Sequence, residues 1–156
     1  MAKPSGSVCN IDCSYCFYLE KEHLYPERKK NWRMDNLTLE NYIKKNIAAQ
    51  HADVVDFLWQ GGEPTMLGVD FYREAVRLQA LYRGKKTINN FFQTNGMNIN
   101  DDWAIFLKEH NFLVGISIDG DRISNDAHRL TRSGKSTFDS VMNGIDILKR
   151  HQVEFN

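Results

Sequence analysis

Two hydrophobic periods take turns along this chain. Residues 38–50 (TLENYIKKNIAAQ) place Leu39, Tyr42, Ile43 and Ile47 on one face, which predicts a helix with Thr38 capping its start. Residues 53–59 (DVVDFLW) predict a strand that ends at Gly61 and Gly62. A second helix is predicted over 70–83, with Phe71, Ala75, Leu78 and Tyr82 as its buried stripe. Residues 87–93 (TINNFFQ) read as a short strand, and Asn100 as the cap of a helix through His110 that turns Trp103, Phe106 and Leu107 inward. Residues 112–118 (FLVGISI) are nearly continuously apolar, the pattern of a strand covered on both faces. Ser136 is expected to open a last helix with Phe138, Val141, Met142, Ile145 and Leu148 on its stripe. Residues 153–156 read as the start of another strand, cut short without a partner.

After the opening segment the order is therefore β-α-β-α-β-α-β. Strands that alternate with helices of this length pair in parallel through right-handed crossovers. The fold class is α/β, as a small open sheet or as part of a βα barrel. A whole barrel takes about 250 residues and does not close with three or four strands.

Four polar clusters interrupt the pattern: 9–18 (CNIDCSYCFY), 60–64 (QGGEP), 93–96 (QTNG) and 117–120 (SIDG). The last three lie at or just past the C-terminal end of a strand. The first does too, if residues 1–4 are the tail of a strand. Each cluster alone reads equally as an ordinary turn, since Gly, Asn-Gly and Asp-Gly are turn formers, and Glu63 alone as a solvated carboxylate. Their repetition at successive C-terminal edges, where sites form in parallel α/β folds, points to one shared cavity.

Charge and cysteine usage narrow the chemistry. Twenty Lys and Arg against 20 Asp and Glu leave no basic surplus for a nucleic-acid partner. No run approaches the roughly 20 apolar residues of a membrane span, and residues 1–6 lack the apolar core of a signal peptide. All three cysteines, Cys9, Cys13 and Cys16, fall within eight residues. An odd, crowded count is a poor disulfide framework and a better metal centre. Zinc needs a fourth ligand, for which His23 is the nearest candidate. Cys13 and Cys16 alone could form a redox dithiol. An iron–sulfur cubane fits better, because three thiolates leave one iron open to a chelating cofactor. The histidines His23, His51, His110, His128 and His151 share no spacing and read as surface or helix-end residues.

C-x3-C-x2-C followed by Phe17 resembles the signature of radical S-adenosylmethionine enzymes. The segments AKPSG, CSYCFYLEKE, WQGGEPT, FQTNG and FLVGISIDG extend that resemblance, over essentially all of residues 2–156, to the anaerobic sulfatase-maturating enzymes. This subgroup carries a cysteine-rich C-terminal SPASM domain. The resemblance implies a partial, TIM-like βα barrel of the radical SAM type, truncated to about its first half or more. Residues 1–156 would be the N-terminal portion of the core domain, with the SPASM domain absent.

It further implies a 4Fe–4S cluster on Cys9, Cys13 and Cys16, and S-adenosylmethionine chelating its open iron. Gly61, Gly62 and Glu63 match the motif that meets the methionine amino group, Ser117 a polar cofactor contact, and Arg129 the partner of the methionine carboxylate. Tyr18 matches a contact near the adenine. Gln60 and Asn95 match residues that line the cavity or touch substrate. The implied activity converts a Cys or Ser of a sulfatase polypeptide to Cα-formylglycine through a 5′-deoxyadenosyl radical. Flavodoxin or ferredoxin would supply electrons, in a cytoplasmic setting where thiols stay reduced. The residue that takes the substrate proton is expected outside this segment, so the segment alone is expected to be inactive. Two other readings remain: another SPASM-type peptide-modifying maturase, or a small zinc-binding structural domain. Family members commonly have Pro after the Asp-Gly, where this chain has Asp121. That affects the stiffness of the loop and no group given a chemical role.

Overall fold

A computed structural model describes residues 1–18 and 32–156. His23, the candidate fourth zinc ligand, lies outside the described residues. In chain order the elements are β1 (Ile11–Cys13), α1 (Asn36–Ala49), β2 (Val54–Trp59), a 3-10 turn (Pro64–Leu67), α2 (Val69–Tyr82), β3 (Thr87–Thr94), α3 (Asp101–Glu109), β4 (Leu113–Ile116), α4 (Arg122–His128), β5 (Arg129–Thr131) and α5 (Phe138–Arg150).

The strands β2, β3 and β4 form a parallel sheet in that order, with Val54 opposite Thr87 and Phe91 opposite Leu113. The chain start extends it. Ala2 bridges to Trp59 in parallel, with Ala2 N–H donating to Leu58 O at 2.8 Å and Gln60 N–H to Ala2 O at 3.0 Å. At the other edge Phe155 bridges to Val114, also in parallel. Asn156 N–H donates to Val114 O at 2.9 Å, so residues 153–156 do have a partner, β4. Five chain segments thus lie side by side in sequence order without a reversal. A doubly wound sheet reverses at its switch point; a βα barrel does not. The architecture is a partial TIM-like barrel.

One face of this sheet is packed. Val55, Phe57, Trp59, Phe92 and Val114 point to the helices, where Tyr72, Trp103, Phe106 and Phe112 meet them in one buried cluster. The rings of Trp59, Tyr72, Phe92 and Trp103 contact one another with centroids 5.0–5.6 Å apart, the tilted and edge geometries that aromatic pairs prefer. Trp59 Nε1–H is satisfied by Asn90 Oδ1 at 2.8 Å. The other face opens on a concavity of about 370 Å³ lined by Asp56, Leu58, Phe91, Gln93, Leu113 and Gly115. β4 is therefore covered on one face only, contrary to the expectation of burial on both.

The caps differ from the sequence reading in two places. Asp35, not Thr38, caps α1: its Oδ1 accepts from Thr38 N–H at 2.7 Å, which starts the helix earlier. Ser136 does not open α5, because its hydroxyl donates to Asp126, while Thr137 donates to Arg129 O at 2.6 Å. Asn100 caps α3 as expected, accepting from Trp103 N–H at 3.0 Å. Among the described residues no helix is long and apolar enough to cross a membrane.

Candidate cluster and cofactor site

The cysteine loop is clamped from two sides at the C-terminal edge of the sheet. On the first side, residues 5–8 run across the end of β2. Gly62 N–H donates to Gly6 O at 2.9 Å and Glu63 N–H to Val8 O at 2.8 Å. A Cβ on Gly62 would come within 2.1 Å of Val8 O, and Gly61 holds φ at 140°. Glycine is needed at both positions, so that one backbone can lie directly on another. On the second side, β1 pairs antiparallel with β5, which sets Cys13 opposite Arg129. Ser14 N–H then donates to His128 O at 2.9 Å, and Cys16 N–H closes a turn onto Cys13 O at 2.8 Å.

All three thiols are free. Each sulfur has an N–H donor nearby: Asn95 Nδ2 at 3.8 Å from Cys9, an Arg129 guanidinium nitrogen at 3.9 Å from Cys13, and Tyr18 N–H at 3.4 Å from Cys16. Burial pushes the Cys9 thiol up to about 11, against the pull of the Ile11 backbone N–H. Burial also raises Cys13, and the Arg129 charge opposes it. Buried thiols of this kind are poor nucleophiles until a cation displaces their protons. Three short-spaced thiols with N–H donors directed at their sulfurs form the donor set that an iron–sulfur cluster takes. Among the described residues no three His, Cys, Asp or Glu side chains are placed to hold a single metal ion.

Glu63 is buried to 1% exposure and lies at the centre of a polar knot. Its Oε1 accepts from Thr65 N–H at 2.9 Å, Thr65 Oγ1 at 2.6 Å and Thr94 Oγ1 at 2.7 Å, and its Oε2 accepts from Asn95 N–H at 2.8 Å. Burial raises its carboxyl above the usual range, and these donors pull it back. The carboxylate thus ties the end of β2 to the end of β3. Asn95, 6% exposed, turns its side chain to the cysteine loop, donating to Asn10 Oδ1 at 2.7 Å.

Arg129 leaves β5 towards the same loop. It pairs with Asp119 at 3.0 Å, and its guanidinium lies 5.4 Å from the ring centroid of Tyr15. Tyr15 in turn donates its hydroxyl to Asp119. Burial favours a neutral Asp119, but the hydrogen bonds from Arg129 and Tyr15 outweigh it and hold the carboxyl below its usual range. Arg129 Nε is buried without a hydrogen-bond partner among the described residues, an N–H still available to an acceptor.

Of the remaining predicted residues, Ser117 and Gln60 make their hydrogen bonds away from the thiols, and Tyr18 meets Cys16 through its backbone N–H. Ser117 accepts from Gln93 Nε2 at 2.9 Å on the inner face of the barrel. Gln60 directs its amide to the Met1 sulfur. Tyr18 has the Lys3 ammonium 4.8 Å from its ring centroid. The structure therefore gathers Cys9, Cys13, Cys16, Tyr18, Asn95 and Arg129 by direct contact, with Gly61, Gly62 and Glu63 as the platform beneath. Tyr15, Asp119 and Thr94 join them, three residues that lie inside the polar clusters 9–18, 117–120 and 93–96 but are given no role by the sequence pattern. Tyr15 carries a visible signal, its place between Cys13 and Cys16. Asp119 carries a turn-like Asp-Gly, and Thr94 only its place in the QTNG cluster.

The chain matches the family model described as the radical SAM superfamily over residues 4–155. It is similar to the serine-type anaerobic sulfatase-maturating enzyme of Bacteroides thetaiotaomicron, at 46% identity over 156 residues, which cover 100% of this chain and 37% of that one. It is similar also to the cysteine-type enzyme of Clostridium novyi, at 43% identity over 159 residues, covering 100% and 41%. Among solved structures, native anSMEcpe with bound AdoMet superposes with a TM-score of 0.89 at 36% identity, covering 99% of this chain and 41% of that one. The same protein with bound AdoMet and Cp18Cys peptide gives 0.87 at 35% identity, covering 99% and 40%. The chain spans about two fifths of the length of the curated relatives it matches.

Proposed function

Because the chain belongs to the radical SAM superfamily, we propose that residues 1–156 are the N-terminal portion of a radical SAM core domain that serves sulfatase maturation. The substrate is a Cys or Ser of a sulfatase polypeptide and the product Cα-formylglycine. Both serine-type and cysteine-type relatives match along the whole chain, which supports the reaction class without choosing between the two. The single observation that carries this reading is the loop of three free thiols, each with an N–H donor, beside an arginine with an uncommitted N–H.

Cys9, Cys13 and Cys16 would hold a 4Fe–4S cluster, and S-adenosylmethionine bound to it would supply one-electron, hydrogen-abstracting chemistry. The chain's own residues bind and orient. Arg129 presents a cationic fork to a carboxylate, and Asp119 stops that fork from turning away. Gly61 and Gly62 let the backbone after β2 lie tight against the loop, so the loop's position is inherited from the sheet. Tyr15 and Tyr18 provide aromatic surface at the rim, and Ser117 and Gln93 polar groups on the inner face. Gln60 is assigned to the rim of the same cavity. Electrons come from a small reduced carrier such as flavodoxin or ferredoxin, in a cytoplasmic setting that keeps the thiols reduced.

Anaerobic reconstitution with iron and sulfide tests this reading. The expected result is a brown protein with about four iron atoms per chain that cleaves S-adenosylmethionine to 5′-deoxyadenosine on reduction, while formylglycine formation needs groups outside this segment. A colourless zinc protein overturns it in favour of a structural zinc domain. Cleavage without formylglycine in added sulfatase peptides, by this chain and by the longer protein alike, moves it to another peptide-modifying maturase.

A further inference from the structure

The Cys9 sulfur is held differently from the other two. Cys16 receives a backbone N–H from its own loop, and Cys13 a charged guanidinium. The donor to Cys9 is a neutral side chain, Asn95, from the end of β3, 86 residues away in the chain. Its orientation is determined by its surroundings. Asn95 Oδ1 accepts from Met97 N–H at 3.1 Å, which turns the amide nitrogen the other way. That nitrogen has two protons and two acceptors, Asn10 Oδ1 at 2.7 Å and Cys9 Sγ at 3.8 Å. The backbone N–H of Asn95 is anchored on the buried Glu63 carboxylate at 2.8 Å. Every polar group of the Asn95 side chain is thus committed, and Asn95 is not among the residues that line the inner concavity.

We propose that Asn95 is a positioning residue for the cluster, not a substrate contact: its amide hydrogen-bonds the Cys9 thiolate and raises the electron affinity of the cluster bound there. The physical reason is general. An N–H donor stabilises a sulfur more as the charge on it grows, so it favours the reduced state. The inference rests on the cluster assignment above.

The test uses the whole reconstituted chain, wild type against Asn95→Ala, with iron content and the midpoint potential of the cluster measured by EPR-monitored titration. Full iron loading with a more negative potential is expected. At a fixed poise the ratio of reduced to oxidised cluster falls about tenfold, equivalent to about 59 mV for a one-electron couple. The near-isosteric Asn95→Leu covers the case in which the alanine variant does not fold. An unchanged potential in a fully loaded variant overturns the proposal, whatever happens to the Michaelis constant for peptide. So does a cluster that assembles on wild type but on neither variant, which reduces Asn95 to a structural residue. A wild-type chain that takes up no iron–sulfide overturns instead the assignment on which the inference rests, so the two failures are distinguishable.

Discussion

The packed face of the sheet and its C-terminal edge are built on opposite principles. Beneath the sheet, Trp59, Tyr72, Phe92, Trp103, Phe106 and Phe112 meet through many weak contacts, none of which is singly decisive. At the edge the chain buries Glu63, Thr65, Thr94 and Asn95, and each is held by a few nameable hydrogen bonds. A core of the first kind tolerates adjustment. A polar knot of the second kind does not, because a lost partner leaves another group buried and unsatisfied. The lesson is one of precision: the aromatic face supplies the stability on which a costly, geometrically strict edge can rest.

Five substitutions can break or sharpen this contrast. The largest loss is expected from Trp59→Ala, about 3–5 kcal/mol by chemical denaturation, since Trp59 is fully buried. Next is Glu63→Ala, about 3 kcal/mol, because the donors on Thr65, Thr94 and Asn95 lose their acceptor. If Glu63→Ala proves neutral, the knot is ornamental and the contrast fails. Gly62→Ala should cost about 1–3 kcal/mol by overpacking against Val8, with a disproportionate fall in iron uptake at an unchanged far-UV circular dichroism spectrum.

Asp119→Asn gives a smaller effect that depends on pH. The Asp119 carboxyl is held below its ordinary value of 3.8, so its contribution is complete above that value and is lost as pH falls through the lower folded-state one. The variant should therefore flatten the acid limb of a stability–pH profile and leave its neutral region lower. Smallest of all is Arg77→Ala, which removes an exposed i,i+3 pair with Glu74 and should leave the denaturation midpoint unmoved.

Much of the scaffold is legible in the amino-acid pattern. The alternation in Val55, Phe57 and Trp59 and the stripe Phe71, Ala75 and Leu78 are local periods, and both elements form within about two residues of their expected bounds. The caps depart from the pattern at Thr38 and Ser136, where two nearby polar residues could serve and the surroundings choose. Asp35 takes the α1 cap, and Asp126 draws Ser136 away from α5. The pairing of residues 153–156 with β4 is not legible, because a strand's neighbour is set by the crossover and not by its own four residues.

The sequence by itself determined which atoms are available: three thiols at a spacing that brings them onto one loop, glycines where backbones must touch, and three successive strands whose C-terminal ends carry polar clusters. Only the tertiary structure decided how those atoms are spent. It turned Glu63 inward as a tie between strands, aimed Asn95 at Cys9, and joined Tyr15, Asp119 and Arg129 across more than a hundred residues of chain. The physical reason is that spacing along a chain constrains local geometry alone. Hydrogen bonds between strand ends exist only once the parallel sheet has brought those ends to one edge.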